Sequence, residues 1–250
     1  MKNEENWSPG KYEIRNGRLR ATRDTTRLKR ASRLVTDLVA ARYDAAIKAY
    51  ARGRLADLGC GNVPLYLAYG DRVSSITCVD WPTTRHKADH LDHEVDLTQE
   101  LPFADNAYDT IILSDVLEHI PSPGRLWSEM NRVLAPGGVV ILNVPFLYWI
   151  HEMPHDYFRY TEFALRRFAD ESNLEVVSLE PIGGLPEVFA DFIAKNPRMI
   201  PVIGHIFRRT TTILVQKITW VFIHSLGKSL SAKTAKRFPM GYFMVVRKQA

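Results

Sequence analysis

The sequence predicts a doubly wound α/β domain, in which helices cover both faces of a mostly parallel sheet. Short apolar runs rich in β-branched residues recur along the chain, and amphipathic helical patterns separate them. No internal repeat or low-complexity stretch interrupts this alternation. With 250 residues, of which 46% are hydrophobic, the chain is long enough for one domain with a sizeable core.

Seven segments have the composition of strands. The first two, Arg54–Leu58 and Ser75–Asp80, are short and apolar, and the first runs directly into a glycine turn. A weaker third segment and four more complete the set: residues 93–96, 108–115, 138–144, 174–180 and 241–247. We therefore expect a seven-stranded sheet.

Two helical patterns between these segments are the clearest. Residues 27–50 predict an amphipathic helix on one side of a ligand cleft, with a face made of Leu34, Leu38, Ala41, Ala45 and Ile47. A second helix should begin at Ser122–Pro123, a good N-cap followed by proline in the first turn, and end at residues 136–138. Its buried face should consist of Leu126, Trp127, Met130, Val133 and Leu134.

Charge varies strongly along the chain. The net charge is +8 over residues 1–54, −12 over residues 55–184 and +9 over residues 185–250. Basic ends around an acidic centre favour an anionic partner, such as a phosphate-bearing substrate, a membrane surface or a nucleic acid. They are equally compatible with packing of the basic ends against the acidic centre.

We divide the chain into four parts. They are an N-terminal basic helical cap (1–53), a ligand-binding core (54–184), a helical insertion that serves as a lid, dimer or membrane-surface element (185–236), and the final strand of the core (237–250).

Cysteine usage and the N-terminus predict a cytoplasmic protein. Cys60 and Cys78 have neither metal-ligand spacing nor a disulfide-like framework, and residues 1–10 contain no apolar run typical of a secretory signal. The apolar stretch 213–226 contains Lys217 and is too short to span a bilayer. Residues 208–228 could instead contact the inner face of the membrane peripherally, or pack as a lid or in a homodimer.

The turn Gly59-Cys60-Gly61 follows the first strand, where ligands bind in open α/β sheets. The rival interpretation is a dinucleotide-binding loop, but Pro64 stands where that motif has its third glycine. Because Asp57 also precedes the turn, a pyrophosphate is disfavoured, and a cofactor with an amino-acid part fits better.

The end of the second strand carries a second ligand signal. Asp80 lies 19 residues after Gly61, where a carboxylate can accept hydrogen bonds from both ribose hydroxyls. Trp81 follows it and offers a flat face for adenine. A strand-terminal aspartate alone is more often a cap, but its combination with the glycine turn favours a nucleoside site.

Five motifs taken together resemble the class I S-adenosylmethionine-dependent methyltransferases, close to the branch often called type 11. They cover roughly residues 54–145 in the order and spacing of that family, at residues 57–61, 79–80, 96–103, 108–120 and 131–138. The resemblance implies a Rossmann-like fold, S-adenosylmethionine as cofactor with S-adenosylhomocysteine as product, and no metal.

The resemblance also implies which residues bind each part of the cofactor. They are Asp57, Gly59 and Gly61 around the methionine part, Asp80 at the ribose, Trp81, Asp96 and Leu97 at the adenine, and Ser114 and Asp115 beneath the sulfonium.

Methyl transfer is an in-line displacement, so alignment of the acceptor is the main contribution of the protein. A hydroxyl acceptor also gains from a base, and histidine has a suitable pKa. In the family geometry His119 would lie near the transferring methyl, although it could equally be a structural histidine at a helix start.

Residues 145–161 pack two histidines, two acids, an arginine and six aromatics into one segment after the fifth strand. We take His151 and His155 as further candidate bases, Asp156 as a group that orients them, and Tyr157, Arg159 and Tyr160, together with Asp156, as acceptor contacts. The alternative is a hydrophobic staple before a helix that starts near Thr161. Residues 155–161 also resemble methyltransferases found with bacterial polysaccharide and glycan assembly.

These observations predict an O-methyltransferase acting on a hydroxyl of a sugar, glycan or lipid-linked saccharide. A second enzyme hypothesis is methylation of a small aromatic or polyketide-like metabolite, because Trp149, Tyr157 and Tyr160 could wall an apolar pocket. A non-catalytic binding protein and a nucleic-acid methyltransferase are the remaining hypotheses. Ser114–Leu117 stands where a base-reaching motif would be, so no nucleic acid is expected.

Overall fold

The computed structural model of the chain describes residues 1–82, 90–196 and 228–250. In chain order, its strands in these ranges are β1 (Tyr12–Arg15), β2 (Arg18–Ala21), β3 (Arg54–Leu58), β4 (Ser75–Asp80), β5 (His93–Glu94), β6 (Tyr108–Ser114), β7 (Leu134–Pro145), β8 (Leu174–Ile182) and β9 (Gly241–Lys248). The α-helices are α1 (Arg33–Tyr50), α2 (Tyr66–Tyr69), α3 (Pro123–Val133), α4 (Glu162–Glu171), α5 (Leu185–Lys195) and α6 (Lys228–Thr234).

Strands β3 to β9 form one seven-stranded sheet in the order β5-β4-β3-β6-β7-β9-β8. Neighbouring strands are parallel, except that β9 runs antiparallel to both β7 and β8. The chain builds outward from β3 to β5 and then returns to place β6 on the other side of β3. The carboxyl ends of β3 and β6 therefore form the crevice where ligands bind in such sheets. The predicted fold class is confirmed.

Apolar side chains cover both faces of the sheet. In β6, Ile111 and Leu113 belong to one core cluster and Ile112 to the other, as expected where successive side chains point to opposite faces. The first cluster is closed by α3 and α4, and the second by α1 and the hairpin β1–β2. Burial on both faces explains why the strands are near-continuous apolar runs in the sequence.

Helix α3 has the predicted buried face, but it ends earlier than the sequence suggested. Four of the predicted residues are at most 1% exposed: Leu126, Trp127, Met130 and Val133. Leu134 is also buried, but it is the first residue of β7 and pairs with Tyr108, ahead of a shift in the register between β6 and β7. Residues 136–138 therefore lie within a strand. Pairing with β6 makes β7 begin at Leu134, before these glycines.

Helix α1 is shorter than predicted and buries a different face. It begins at Arg33, and Ala41 and Ala45 of the predicted face are exposed. The buried residues are Thr36, Val39, Ala40, Tyr43, Ala46 and Ile47. Polar groups on this face find partners: the Tyr43 hydroxyl donates to Asn143 Oδ1 at 2.7 Å and the Thr36 hydroxyl to the Ser32 carbonyl at 2.9 Å. A count of apolar residues alone could not have revealed this face.

Apart from a single 3-10 turn at Glu4–Asn6, the N-terminal segment is helical only from residue 30, because a hairpin precedes the helix. Strands β1 and β2 are joined by Asn16 and Gly17, both with positive φ, which is the two-residue turn that best matches strand twist. The backbone N–H groups of Leu19 and Ala21 donate to side-chain carboxylates of α1 at 3.0 and 2.9 Å. The predicted helical cap is thus a hairpin docked on a helix, and the Asn-Gly pair was its sequence signal.

Helix α4 begins as predicted, since the Thr161 hydroxyl caps it by accepting a hydrogen bond from the Ala164 N–H at 3.2 Å. Among the described residues, no helix combines the length and the apolar character needed to cross a bilayer. Residues 208–227 of the predicted membrane contact lie outside the described ranges. Membrane contact and a homodimer therefore stay predictions.

Replacing Trp127 with alanine tests how much the α3 face contributes to stability. Trp127 is fully buried and stacks on Phe168 with 6.3 Å between ring centroids. We expect Trp127→Ala to lower the free energy of unfolding by about 3–5 kcal/mol in urea denaturation. Phe163→Ala, at a side chain that is 75% exposed on α4, should change it by less than about 0.5 kcal/mol. Equal losses in the two variants would contradict this assignment of the core.

Candidate functional site

The glycine turn after β3 is tied to β4 and pressed against the turn after β6. Gly59 and Gly61 have φ values of +71° and +52°. The N–H groups of Gly59 and Cys60 donate to the Val79 carbonyl at 2.7 and 3.1 Å. A Cβ added at Gly59 would lie 2.4 Å from Val116 Cγ2, so no larger residue fits there without displacing the turn.

Asp57 is buried beneath this turn. Its side chain accepts a hydrogen bond from the Tyr69 hydroxyl at 2.6 Å, and the residue is 3% exposed. Burial raises the pKa of Asp57 to about 7. The hydrogen bond from Tyr69 lowers this pKa in part, and the negative charge of Asp80 raises it further. Tyr69, on the short helix α2, was missed by the sequence analysis because nothing in its local sequence marks it.

The carboxylate of Asp80 connects the end of β4 to the glycine turn. Its Oδ2 accepts from the Gly61 N–H at 2.8 Å and its Oδ1 from the Trp81 N–H at 2.7 Å. Trp81 is 40% exposed, and its ring lies edge-on to the His155 ring at 5.0 Å. The predicted ribose and adenine residues are therefore adjacent, and the segment 145–161 reaches them through His155.

Asp96 and Leu97 follow β5 beside the end of β4. The Val95 N–H donates to the Asp80 carbonyl at 2.9 Å, which holds this segment against β4. Asp96 is half-buried and its Oδ1 accepts from the Thr98 N–H at 2.9 Å. The Leu97 side chain is 7% exposed and packs in the core. The structure thus places the other two predicted adenine residues in the segment that Val95 holds against Asp80.

At the end of β6, Ser114 and Asp115 share one partner on β7. Asn143 Oδ1 accepts from the Ser114 hydroxyl at 3.1 Å and from Tyr43, while its Nδ2 donates to Asp115 Oδ1. Asp115 Oδ2 lies 3.7 Å from the Lys11 ammonium of the hairpin. The sequence analysis missed Asn143, although an asparagine inside an apolar strand is a signal of a buried polar network.

A cavity of about 250 Å³ opens beside this network. The hairpin, α1, the ends of β6 and β7 and the segment after β7 form much of its wall, and its polar groups include those of Lys11, Asp115, His119, Asn143 and His151. Of the nine predicted cofactor residues, Asp115 alone lines it. The cofactor cradle and the cavity are therefore neighbours that meet at Asp115.

Two of the three predicted bases lie in the cavity wall around a residue that the sequence analysis missed. Glu118 is 0% exposed, and its Oε1 lies 3.8 Å from His119 Nε2 and 3.7 Å from His151 Nε2. Within the part of the chain that the structure describes, neither of its carboxylate oxygens has a hydrogen-bond partner. Burial raises the pKa of Glu118, and the Glu118 carboxyl raises the pKa of His151. His155 is not part of the wall and lies against Trp81.

Three of the four predicted acceptor contacts brace the segment 145–161. Arg159 donates to both oxygens of Asp156 at 2.6 and 2.8 Å and thereby holds the pKa of that carboxyl far below its usual range. Tyr160 is 3% exposed, and its hydroxyl donates to the Leu117 carbonyl at 2.9 Å. These side chains have partners within the protein, and their contact with the acceptor stays a prediction. Tyr157 is 45% exposed, with its hydroxyl 3.2 Å from His155 Nδ1.

Comparison with known proteins finds relatives for the part of the chain that contains the glycine turn. Residues 56–142 match the family model of a methyltransferase domain. A protein of Mycobacterium leprae named as an uncharacterized methyltransferase is 47% identical over 58 residues. That alignment covers 21% of this chain and 21% of the relative, so the chain spans about a fifth of the length of the curated relatives it matches.

Solved structures share the fold at low sequence identity. A methyltransferase from Mesorhizobium loti, described as S-adenosylmethionine-dependent, has a TM-score of 0.52 and 16% identity, covering 84% of this chain and 100% of its own. The [4+2]-cyclase SpnF has a TM-score of 0.54 and 19% identity, covering 85% of this chain and 83% of its own.

The matched domain contains the glycine turn, Asp80 and the end of β6. Residues 56–142 are therefore similar to a methyltransferase domain, within a sheet that has the Rossmann-like fold of class I methyltransferases.

Proposed function

We propose that the protein transfers a methyl group from S-adenosylmethionine to a hydroxyl of a sugar, glycan or lipid-linked saccharide. The observation that carries the proposal is the cavity with a polar wall that adjoins the cofactor cradle at Asp115. When bound, the cofactor supplies an electrophilic methyl group on a sulfonium. The chain then holds the acceptor oxygen in line with the bond between the methyl group and the sulfur, and it provides a group that accepts the hydroxyl proton.

The cradle has groups suited to each part of that cofactor. Asp57 would pair with the amino group of the methionine part, and its burial beside the Gly59–Gly61 turn supports this role. Asp80 would accept from the ribose hydroxyls, and Trp81, Asp96 and Leu97 would contact the adenine. Ser114 and Asp115 would lie beneath the sulfonium, at the end of β6.

The cavity is suited to one acceptor ring. About 250 Å³ is slightly below the range of drug-sized pockets, so a monosaccharide unit fits better than a large ligand. Its polar groups come from several elements, with Lys11 on one side and His119 and His151 on another. Hydrogen-bonding groups that converge in this way are suited to a hydroxyl-rich acceptor.

Part of the wall supports the second candidate, a small aromatic or polyketide-like metabolite. This part is apolar and is formed by Val35, Val39, Ile182 and Met240. An aromatic ring could pack there while its hydroxyl faces the polar side. His119 and His151 could accept the proton of either kind of hydroxyl; their position in the wall supports them over His155.

Methyl transfer to a panel of acceptors tests the proposed function. With S-adenosylmethionine labelled in its methyl group, we expect label on sugar hydroxyls of nucleotide sugars or lipid-linked saccharides and little on phenols. Label on phenols alone would favour the second candidate. If calorimetry found no binding of S-adenosylmethionine, both enzyme assignments would be wrong.

A larger residue at Gly59 should weaken cofactor binding. Gly59→Ala places a Cβ against Val116 and imposes backbone strain of about 1–3 kcal/mol. We expect the affinity for S-adenosylhomocysteine to fall about tenfold or more, measured by calorimetry together with the thermal unfolding midpoint. Gly124→Ala, where the nearest atom is 3.9 Å from the added Cβ, should bind like the wild type. An unchanged affinity in Gly59→Ala would contradict the proposed role of the turn.

The raised pKa of Asp57 predicts that cofactor binding depends on pH. A carboxyl with a pKa of about 7 is mostly protonated at pH 5, and it must lose this proton to pair with an ammonium. The affinity for S-adenosylhomocysteine should therefore rise from pH 5 to about 7, by up to about tenfold per pH unit, and level off above. Asp57→Asn should bind weakly and without this dependence. The same pH dependence in both proteins would assign it to another group.

A further inference from the structure

We propose that Glu118, His119 and His151 form a binding site for one divalent transition-metal cation in the wall of the cavity. One ligand atom of each residue lies within 4.8 Å of the other two. The two imidazole Nε2 atoms are 3.8 and 3.7 Å from Glu118 Oε1. Bond lengths of about 2.1 Å place the ligand atoms of such an ion about 3 to 3.5 Å apart, so a small inward shift would complete the site.

The buried carboxylate of Glu118 is the strongest reason for a cation here. The residue is 0% exposed, and neither of its oxygens has a hydrogen-bond partner among the described residues. An unpaired buried charge is costly, and proteins compensate it by pairing or by metal coordination. The described residues contain one other carboxylate oxygen of this kind, Asp191 Oδ1, but the Asp191 carboxylate is paired with Lys195 at 2.9 Å.

Both imidazoles are held in the orientation that a metal ligand requires. His119 Nδ1 is 2.6 Å from the His155 carbonyl oxygen, so this nitrogen carries the proton and Nε2 has the lone pair. His151 Nδ1 is 3.3 Å from Asp156 Oδ2, and Arg159 in turn holds Asp156. A carbonyl or carboxylate behind the second nitrogen of each histidine is the usual outer shell of a metal site.

A proton shared between Glu118 and the histidines explains the cluster less well. Distances of 3.7 and 3.8 Å exceed those of N–H···O hydrogen bonds, so the three groups surround a gap that no direct hydrogen bond closes. Two imidazole nitrogens and one carboxylate favour Zn²⁺, Mn²⁺ or Fe²⁺ over Ca²⁺ and Mg²⁺, which prefer oxygen. Neither the sequence motifs nor the comparisons point to a metal. The proposed site therefore rests on this geometry alone.

A cation bound here would face the cavity, because His119 and His151 both line it. An ion with open positions can bind an acceptor hydroxyl and lower its pKa, so that the hydroxyl proton passes to solvent water and no histidine base is needed. This role, unlike the site itself, rests on the proposed methyl transfer. His119 and His151 would then act as ligands and not as proton acceptors.

Metal binding by the full chain, freed of ions with a chelator, tests the site. Titration with Co²⁺ should show one saturable site with visible absorption of a nitrogen- and oxygen-coordinated ion, and calorimetry with Zn²⁺ and Mn²⁺ should give the same stoichiometry. We expect Glu118→Gln and His151→Ala each to weaken binding by at least about tenfold. Glu171→Gln, the same change at an exposed glutamate on α4, is the matched control and should bind like the wild type.

Affinity for S-adenosylhomocysteine, measured on the same samples, separates failure of this site from failure of the proposed function. If the wild type binds S-adenosylhomocysteine but shows no saturable metal binding, or binds metal as tightly after Glu118→Gln, the metal site is refuted while the methyltransferase proposal stands. Saturable metal binding that Glu118→Gln and His151→Ala weaken supports the site, whether or not S-adenosylhomocysteine binds. A variant that loses both metal and S-adenosylhomocysteine is misfolded, and the remaining variant then decides.

Discussion

The side-chain amide of Asn143 joins helix α1 and the turn after β6 to strand β7. It lies at the end of β7, 2% exposed, and binds Tyr43 of α1, Ser114 of β6 and Asp115 in the turn that follows. A buried amide is tolerated only when its partners satisfy it, so α1 and the β6 turn are held at a defined distance from β7. The floor of the cavity and the edge of the cofactor cradle both depend on that distance.

The contact between the turn after β3 and the turn after β6 is a second constraint on the structure. Gly59 and Val116 are so close that the position of one turn determines the position of the other. Asp57 then lies beneath the glycine turn and Asp80 beside it. Burial, together with the nearby charge of Asp80, raises the pKa of Asp57. The fold alone does not decide the reaction, since a [4+2]-cyclase shares it.

The segment 145–161 is dense in polar and aromatic residues because much of it supports a neighbouring group. Arg159 and Asp156 form a bidentate pair that holds His151, and Tyr160 supports the turn that carries Glu118. Such a network costs desolvation energy, which its internal hydrogen bonds offset. The result is a rigid wall in which His119, His151 and Glu118 converge, and this convergence is the basis of the metal proposal.

Local sequence determined the seven strands of the sheet, the glycine turn and the cap of α4, because strand burial, positive φ and capping depend on residues near in the chain. It also predicted nine cofactor residues, of which Asp57, Gly59, Gly61 and Asp80 lie together at one turn. Only the tertiary structure decided the buried face of α1, the bracing role of Tyr160 and the cluster of Glu118 with His151. Whether a polar side chain is buried, exposed or poised for a ligand depends on partners far away in the chain, and pairings such as Tyr43 with Asn143 leave no local pattern.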